Sequence, residues 1–169
     1  MTGALGTRLA IEPLAARHFS ALRPVLDEIA REKRYLAFTR APPRSDVLAF
    51  YRNIVACGQV HFVALLDGRV CGWCDVLPTH GEARAHVGTL GIGLVGRARH
   101  LGIGGLLMRR AIDAAWAAGM TRIELTVRID NLAAMNLYQR MGFKTEGLCA
   151  RAFRVDGRYF DTFSMALLR

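Results

Sequence analysis

The chain lacks any apolar run near the ~18 residues that a membrane-spanning helix needs, and none is expected among its 169 residues. Its start, Met1-Thr2-Gly3-Ala4-Leu5-Gly6-Thr7-Arg8, has no basic segment leading into an apolar one, so no export leader is expected and a cytoplasmic setting follows. Cysteine is sparse. Of the four, only Cys71 and Cys74 are close in sequence, and they sit inside the strand-like run Arg69–Leu77. Residues three apart in a strand point to opposite faces, so a bond between them is awkward. A redox pair would open a helix instead, and no second pair stands at metal spacing. Structural thiols and no metal are expected.

Lysine is nearly missing too. All but Lys33 and Lys144 of the 23 basic residues are arginine. They are scattered, without a recognised nucleic-acid motif, so the net charge of +9 alone speaks for a nucleic-acid partner. Carboxylates are absent between Glu82 and Asp113, while Arg84, Arg97, Arg99, Arg109 and Arg110 fall in that window. Repeats, low-complexity stretches and linkers are absent as well, which predicts a single domain over 1–169.

What is present is periodic. Arg8–Leu14 reads as a strand, and Ala15–Lys33 as helical with a kink or break at Pro24. A second helix, capped by Ser45, runs to about Ala56. His61–Leu66 and Arg69–Leu77 form a hairpin about Asp67-Gly68, and Ala85–Val95 is a glycine-interrupted strand. Gly102–Ala118 is a helix closed by Gly119. Arg122–Ile129 alternates strictly, with Ile123, Leu125, Val127 and Ile129 on one face. Asp130-Asn131 caps a helix to about Met141, and Phe143–Val155 and Arg158–Leu168 pair about Asp156-Gly157. The order β-α-α-β-β-β-α-β-α-β-β predicts an α/β fold, a mixed, mostly antiparallel twisted sheet with helices on both faces.

The stretch from Gly88 to Met108 carries the chemistry. A strand that ends in a basic, glycine-rich turn at a helix N-terminus can hold phosphate, because first-turn N–H groups and the helix dipole face the anion. The arginines are expected to add charge-assisted bonds. Gly91-Ile92-Gly93-Leu94-Val95-Gly96 has the form G-x-G-x-x-G, yet that fingerprint should open a helix, and here it is still strand. The Gly-Lys-Ser/Thr of a P-loop is missing. Arg99-His100-Leu101-Gly102-Ile103-Gly104 fits Q/R-x-x-G-x-G/A instead. Downstream, Asn131 to Phe143 fits N-x-x-A-x-x-L-Y-x-x-x-G-F in full. With the element order, these motifs resemble the GNAT superfamily of N-acetyltransferases over about Arg8 to Leu168. Asp156–Asp161 is similar to the closing hairpin of its ribosomal-protein, spermidine and small-molecule branch.

The resemblance implies acetyl-CoA as co-substrate and direct acetyl transfer to a primary amine, on a small molecule or a peptide N-terminus. It implies that the backbone at Leu94, Val95, Arg99, His100, Leu101, Gly102, Ile103 and Gly104 holds pantetheine and pyrophosphate. Asn131 would contact the cofactor, and Tyr138 would be the general acid. The base is harder to find: many family members carry a Glu on the fourth strand, where this chain has His86 and Thr89. Glu124 is the nearest carboxylate, with cross-strand ion pairing as its rival role, and Glu82 is more remote. His18, His61 and His100 belong to no constellation.

The acceptor site is expected between the Tyr35–Pro43 loop, Trp73 and Tyr159–Asp161. Positive charge disfavours a polycation and favours a carboxylate-bearing amine, a peptide N-terminus or an uncharged amine, with Asp75 and Asp161 as local counterweights. A homodimer is compatible with this reading. The rivals are an acyl-CoA-binding module without catalysis and a basic nucleic-acid-binding protein.

Overall fold

In the computed structural model, which describes residues 8–169, the elements follow the order expected from the sequence. Met1–Thr7, which carry the leader expectation, lie outside the described residues. The chain runs β1 (Leu9–Pro13), α1 (Phe19–Arg31), α2 (Arg44–Ala56), β2 (Val60–Leu66), β3 (Arg69–Pro78) and β4 (Val87–Leu94). It continues through α3 (Ile103–Ala117), β5 (Arg122–Arg128), α4 (Leu132–Arg140), β6 (Lys144–Val155) and β7 (Arg158–Leu168). The strands form one seven-stranded sheet in the order β1-β2-β3-β4-β5-β7-β6. Every pairing is antiparallel except that of β4 with β5.

Side-chain alternation assigns the helices to faces. Ile92 and Leu94 of β4 reach Gly104 of α3, which also meets Leu137 of α4, and Gly88 packs on Met120 just beyond α3. One face therefore carries α3 and α4 over the apolar stripe Ile123, Leu125 and Val127, all buried. The other face carries α1 and α2. There Tyr51 of α2 stands edge-on to His61 of β2 and stacks on Phe19 of α1. On this second face β4 presents Gly91 and Gly93 to Asp75 and the Trp73 ring of β3.

β4 and β5 pair only over Val87↔Arg122, Gly88↔Ile123 and Thr89↔Glu124. Beyond these rungs each strand keeps its outer partner. β4 stays on β3 as far as Leu94↔Gly72, and β5 stays on β7 as far as Arg128↔Thr162. The sheet is thus split between two parallel strands, and the split opens toward the N-terminus of α3. Parallel neighbours need a crossover and pair less firmly than antiparallel ones. The seam with an antiparallel competitor on each side is the one that gives way.

Two local expectations are corrected. Pro24 does not split α1, which is continuous from Phe19 to Arg31. Pro24 and Ser20, the residue whose carbonyl lacks a donor at that turn, both lie on the exposed side, where water supplies the bond. Ser45 is not a cap. α2 begins one residue earlier behind Pro43, and the Ser45 hydroxyl bonds Asp46 at 2.9 Å. Cys71 and Cys74 are buried free thiols in β3, as expected.

A Cβ at Gly93 would lie 2.5 Å from the Trp73 ring, whereas one at Gly96 would meet nothing within 4 Å. In denaturant melts, Gly93→Ala should lower stability by about 1–3 kcal/mol, the usual cost of overpacking. Gly96→Ala should change it little.

Candidate active site

At the open end of the split, Gly102 takes a left-handed conformation (φ +77°) as the N-cap of α3, and no side chain caps the helix. The first backbone bond of the turn runs from Leu106 N–H to Gly102 C=O at 3.3 Å. The N–H groups before it are left to an anion, and the helix dipole adds partial positive charge there. His100 is also left-handed (φ +62°), which folds the loop tightly back onto the helix start. Leu94, Val95 and the loop 99–104 therefore form a continuous rim at the mouth of the split.

The Arg99 side chain does not join that rim. Its Nε donates to Leu94 C=O at 2.9 Å, and its two terminal nitrogens reach the Glu32 carboxylate of α1 at 2.9 and 2.7 Å. Arg97 leans toward Glu28 of the same helix at 3.4 Å. These two guanidiniums fasten the loop to α1 and are engaged there rather than turned to the mouth of the split. The carboxylate-free window exists along the sequence only, because α1 brings Glu28 and Glu32 to it in space.

Tyr138 sits on α4, packed against Phe143 with ring centroids 6.1 Å apart. It is buried, and burial with the neighbouring Cys74 thiol pushes its pKa above the ordinary phenol value. It keeps its proton at neutral pH and is suited to give one rather than to take one. Cys74 places Tyr138 on the α3/α4 face of the sheet.

The residue next to Cys74 in β3 points the other way. Asp75 is buried on the α1/α2 face, and its Oδ1 lies 3.1 Å from where a Cβ at Gly91 would be. Any side chain at Gly91 would displace this carboxylate. Burial pushes its pKa up to about 7, partly offset by the Gly91 N–H. Across the strand pair, His61 Nδ1 stands 3.4 Å from Asp75 Oδ2. Burial pushes the His61 pKa down to about 4, so the imidazole is neutral at pH 7. His61 thus belongs to a buried constellation with Asp75 and Tyr51, contrary to the expectation from sequence.

Glu124 does not face the split as a free carboxylate. Its Oε1 accepts from Arg84 at 2.6 Å and its Oε2 from Arg122 at 3.2 Å, in a network that also holds Glu146. Both oxygens of this carboxylate are thus occupied by guanidiniums. Asn131 caps α4, its Oδ1 accepting from Ala134 N–H at 3.2 Å, and so fixes the helix that carries Tyr138. Thr89 is exposed on β4, and Glu82 is exposed in a 3-10 turn. Tyr35 and Phe160 converge on one guanidinium, that of Arg128, at 5.7 and 3.6 Å from the ring centres. Asp161 is engaged with Arg151 N–H at 2.7 Å.

A family model described as the acetyltransferase (GNAT) family matches residues 23–143. The chain belongs to this family of acetyltransferases. It is 29% identical over 165 residues, 96% of its length and 99% of the relative's, to the L-amino acid N-acetyltransferase AaaT of Escherichia coli K12. It is 39% identical to the N-alpha-acetyltransferase RimI of Mycobacterium tuberculosis, over 69% of this chain and 71% of the other. Among solved structures, a GNAT acetyltransferase from Streptococcus pneumoniae superposes with TM-score 0.89 at 26% identity, covering 96% of this chain and 100% of that one. An acetyltransferase from Salmonella typhimurium, solved with acetyl-CoA, superposes with TM-score 0.88 at 18% identity, covering 95% and 93%. The protein is an N-acetyltransferase by family, and no helix among its described residues is long and apolar enough to cross a membrane.

The raised Asp75 pKa has a stability consequence. Between its unfolded value of 3.8 and its folded value of about 7, the folded chain holds a proton that the unfolded chain has lost. Stability from this group is therefore lost as pH rises through that window. Asp75→Asn should melt above the wild type at pH 8, and the gap should close toward pH 5 in thermal denaturation.

Proposed function

We propose that the protein moves an acetyl group from acetyl-CoA directly to a primary amine, on a small molecule or a peptide N-terminus. One observation carries this reading. A protonated phenol, Tyr138, and a carboxylate that titrates near neutrality, Asp75, flank neighbouring positions of β3 from opposite faces, beside the split between β4 and β5. Two relatives support an amine acceptor by their names, one for L-amino acids and one for α-amino groups.

The residues fit the co-substrate. The uncapped start of α3 and the loop 99–104 offer backbone N–H groups to a pyrophosphate, and the edge of β4 between Thr89 and Leu94, which β5 has left, offers peptide groups to an amide-bearing arm, while Leu94 C=O is held by Arg99 and Val95 N–H by Cys71 C=O. When bound, acetyl-CoA supplies an acetyl group activated as a thioester. Requiring it suits the cytoplasmic setting expected from sequence.

The chain's own groups then divide the work. The split lets an acceptor come in from the α1/α2 face while the thioester lies along β4, so alignment of the two supplies much of the rate. Backbone N–H groups on the free edge of β4 face the carbonyl oxygen where negative charge develops. Asp75, ionised above about pH 7, takes the proton from the acceptor ammonium, directly or through a water. Neutral His61 beside it adds no competing positive charge. Tyr138 gives its proton to the departing sulfur, and the second proton that the acceptor nitrogen sheds as the amide forms restores the phenol, whose raised pKa favours its return.

We place the base role on Asp75 rather than Glu124, whose oxygens are already engaged by Arg84 and Arg122. An acyl-CoA-binding module without catalysis would have no use for a buried carboxylate opposite a buried phenol.

Acetyl-CoA should raise the melting temperature, and the absence of any shift would remove the reading. Tyr138→Phe should slow CoA release while leaving the acetyl-CoA shift intact. For the wild type, kcat/KM should rise with pH through about 7. Asp75→Asn should lose roughly 100-fold or more of the rate, and Glu124→Gln should stay within a few-fold of the wild type. The opposite pattern for the two carboxylates would return the base role to Glu124.

A further inference from the structure

Arg128, the last residue of β5, is 6% exposed and Thr162, directly opposite it on β7, is fully buried. Both carry buried polar atoms without a partner, the Arg128 Nη1 and the Thr162 Oγ1. The rest of the guanidinium is fixed. Asp130 accepts from its Nε at 2.9 Å and from its Nη2 at 2.5 Å, the Phe160 ring lies 3.6 Å beneath it, and Tyr35 stands 5.7 Å away. One edge of a rigidly held cation is thus satisfied, and the other is presented beside an unpaired hydroxyl. Leaving a buried guanidinium N–H and a buried hydroxyl unpaired is costly. Packing does not require it, since valine would fill the Thr162 position with nearly the same shape.

The two groups lie where an acceptor would enter. Arg128 shares the α1/α2 face with Glu124 by alternation, and so with Thr89, Gly91 and Asp75. Counted from the last β4–β5 rung, Thr89↔Glu124, Thr126 stands level with Gly91 and Arg128 level with Gly93. Arg128 is therefore two residues further along the split than Gly91, which Asp75 faces, and stands across the split from it on β5.

Resting on the transfer reading above, we infer that Arg128 and Thr162 form the subsite for the carboxylate of an α-amino acid acceptor whose amine is directed at Asp75. Both groups donate, one of them charged, which suits an anion with two oxygens and repels a polyamine. The flat rings of Tyr35 and Phe160 hold the guanidinium in the plane it needs for that contact. The free α-carboxylate, as opposed to the neutral carbonyl of a peptide, is the feature read.

The test compares L-amino acids with their carboxamides by CoA release, and by calorimetric titration into the protein saturated with CoA. The wild type should prefer the free acids. Thr162→Val removes a hydroxyl that has no partner in the fold, so its melting temperature should hold. Its KM for the free acids should rise roughly tenfold or more, as for loss of a hydrogen bond to a charged group, with kcat and the carboxamide KM little changed. Arg128→Gln should raise the same KM further.

Equal use of acids and carboxamides by the wild type, or a Thr162→Val variant that treats both as before, would overturn the subsite. So would turnover of other amines with no titratable binding of amino acids. Amino-acid binding that depends on Thr162 but yields no CoA with any acceptor would instead overturn the transfer reading and leave the subsite standing.

Discussion

The site depends on the parting of β4 from β5. These are the only parallel neighbours in the sheet, and they share three rungs before each strand follows its antiparallel partner. A complete ladder would bury the β4 edge in hydrogen bonds and join the two faces into one closed layer. Because the ladder stops at Thr89 and Glu124, backbone groups of β4 remain free in the middle of the molecule. The split thus lies between the face bearing Tyr138 and the face bearing Asp75. The two families of helices hold this arrangement apart, α3 and α4 on one side and α1 and α2 on the other, each anchored in its own apolar stripe.

Glycine placement follows from the same constraint. Gly91 and Gly93 stand on the face from which an acceptor would arrive, and their missing side chains are replaced by groups from β3, the Asp75 carboxylate and the Trp73 ring. The fourth strand thus carries no carboxylate of its own and packs against one from β3. Charge is arranged to match. The arginines nearest the cofactor loop are neutralised by α1, Glu124 is neutralised from both sides, and the guanidinium left with a free edge is the buried one at the far end of β5.

The sequence reading reached the fold because its signals were local. The alternation in Arg122–Ile129, the Asp67-Gly68 turn, the glycines after α2, α3 and α4 and the Asn131 cap each act within a few residues, and the element order followed from them. The loop at Arg99–Gly104 was legible for the same reason, since a left-handed glycine at a helix start is a local conformation. Side-chain destinations were not. Arg99 turns away to Glu32 and Glu124 is taken by Arg84, partners 67 and 40 residues distant.

The missed carboxylate shows the limit most clearly. Pairing outward from the Asp67-Gly68 turn matches Leu66 with Arg69 and Leu65 with Val70, and continued without interruption it would set His61 against Cys74. The chain has one extra residue in β3, at the register shift between Ala64 and Leu65, and His61 faces Asp75 instead. That single residue decides which side chain of β3 stands against His61, and nothing in the flanking sequence announces it. By itself the sequence determined the order of elements, the glycine turn before α3 and the helix that bears Tyr138, because these rest on short-range periodicity and backbone conformation. Only the tertiary structure decided the splitting of the sheet, the placing of Asp75 and the unpaired edge of Arg128. Register, burial and electrostatic environment are set by strands that meet across the whole length of the chain.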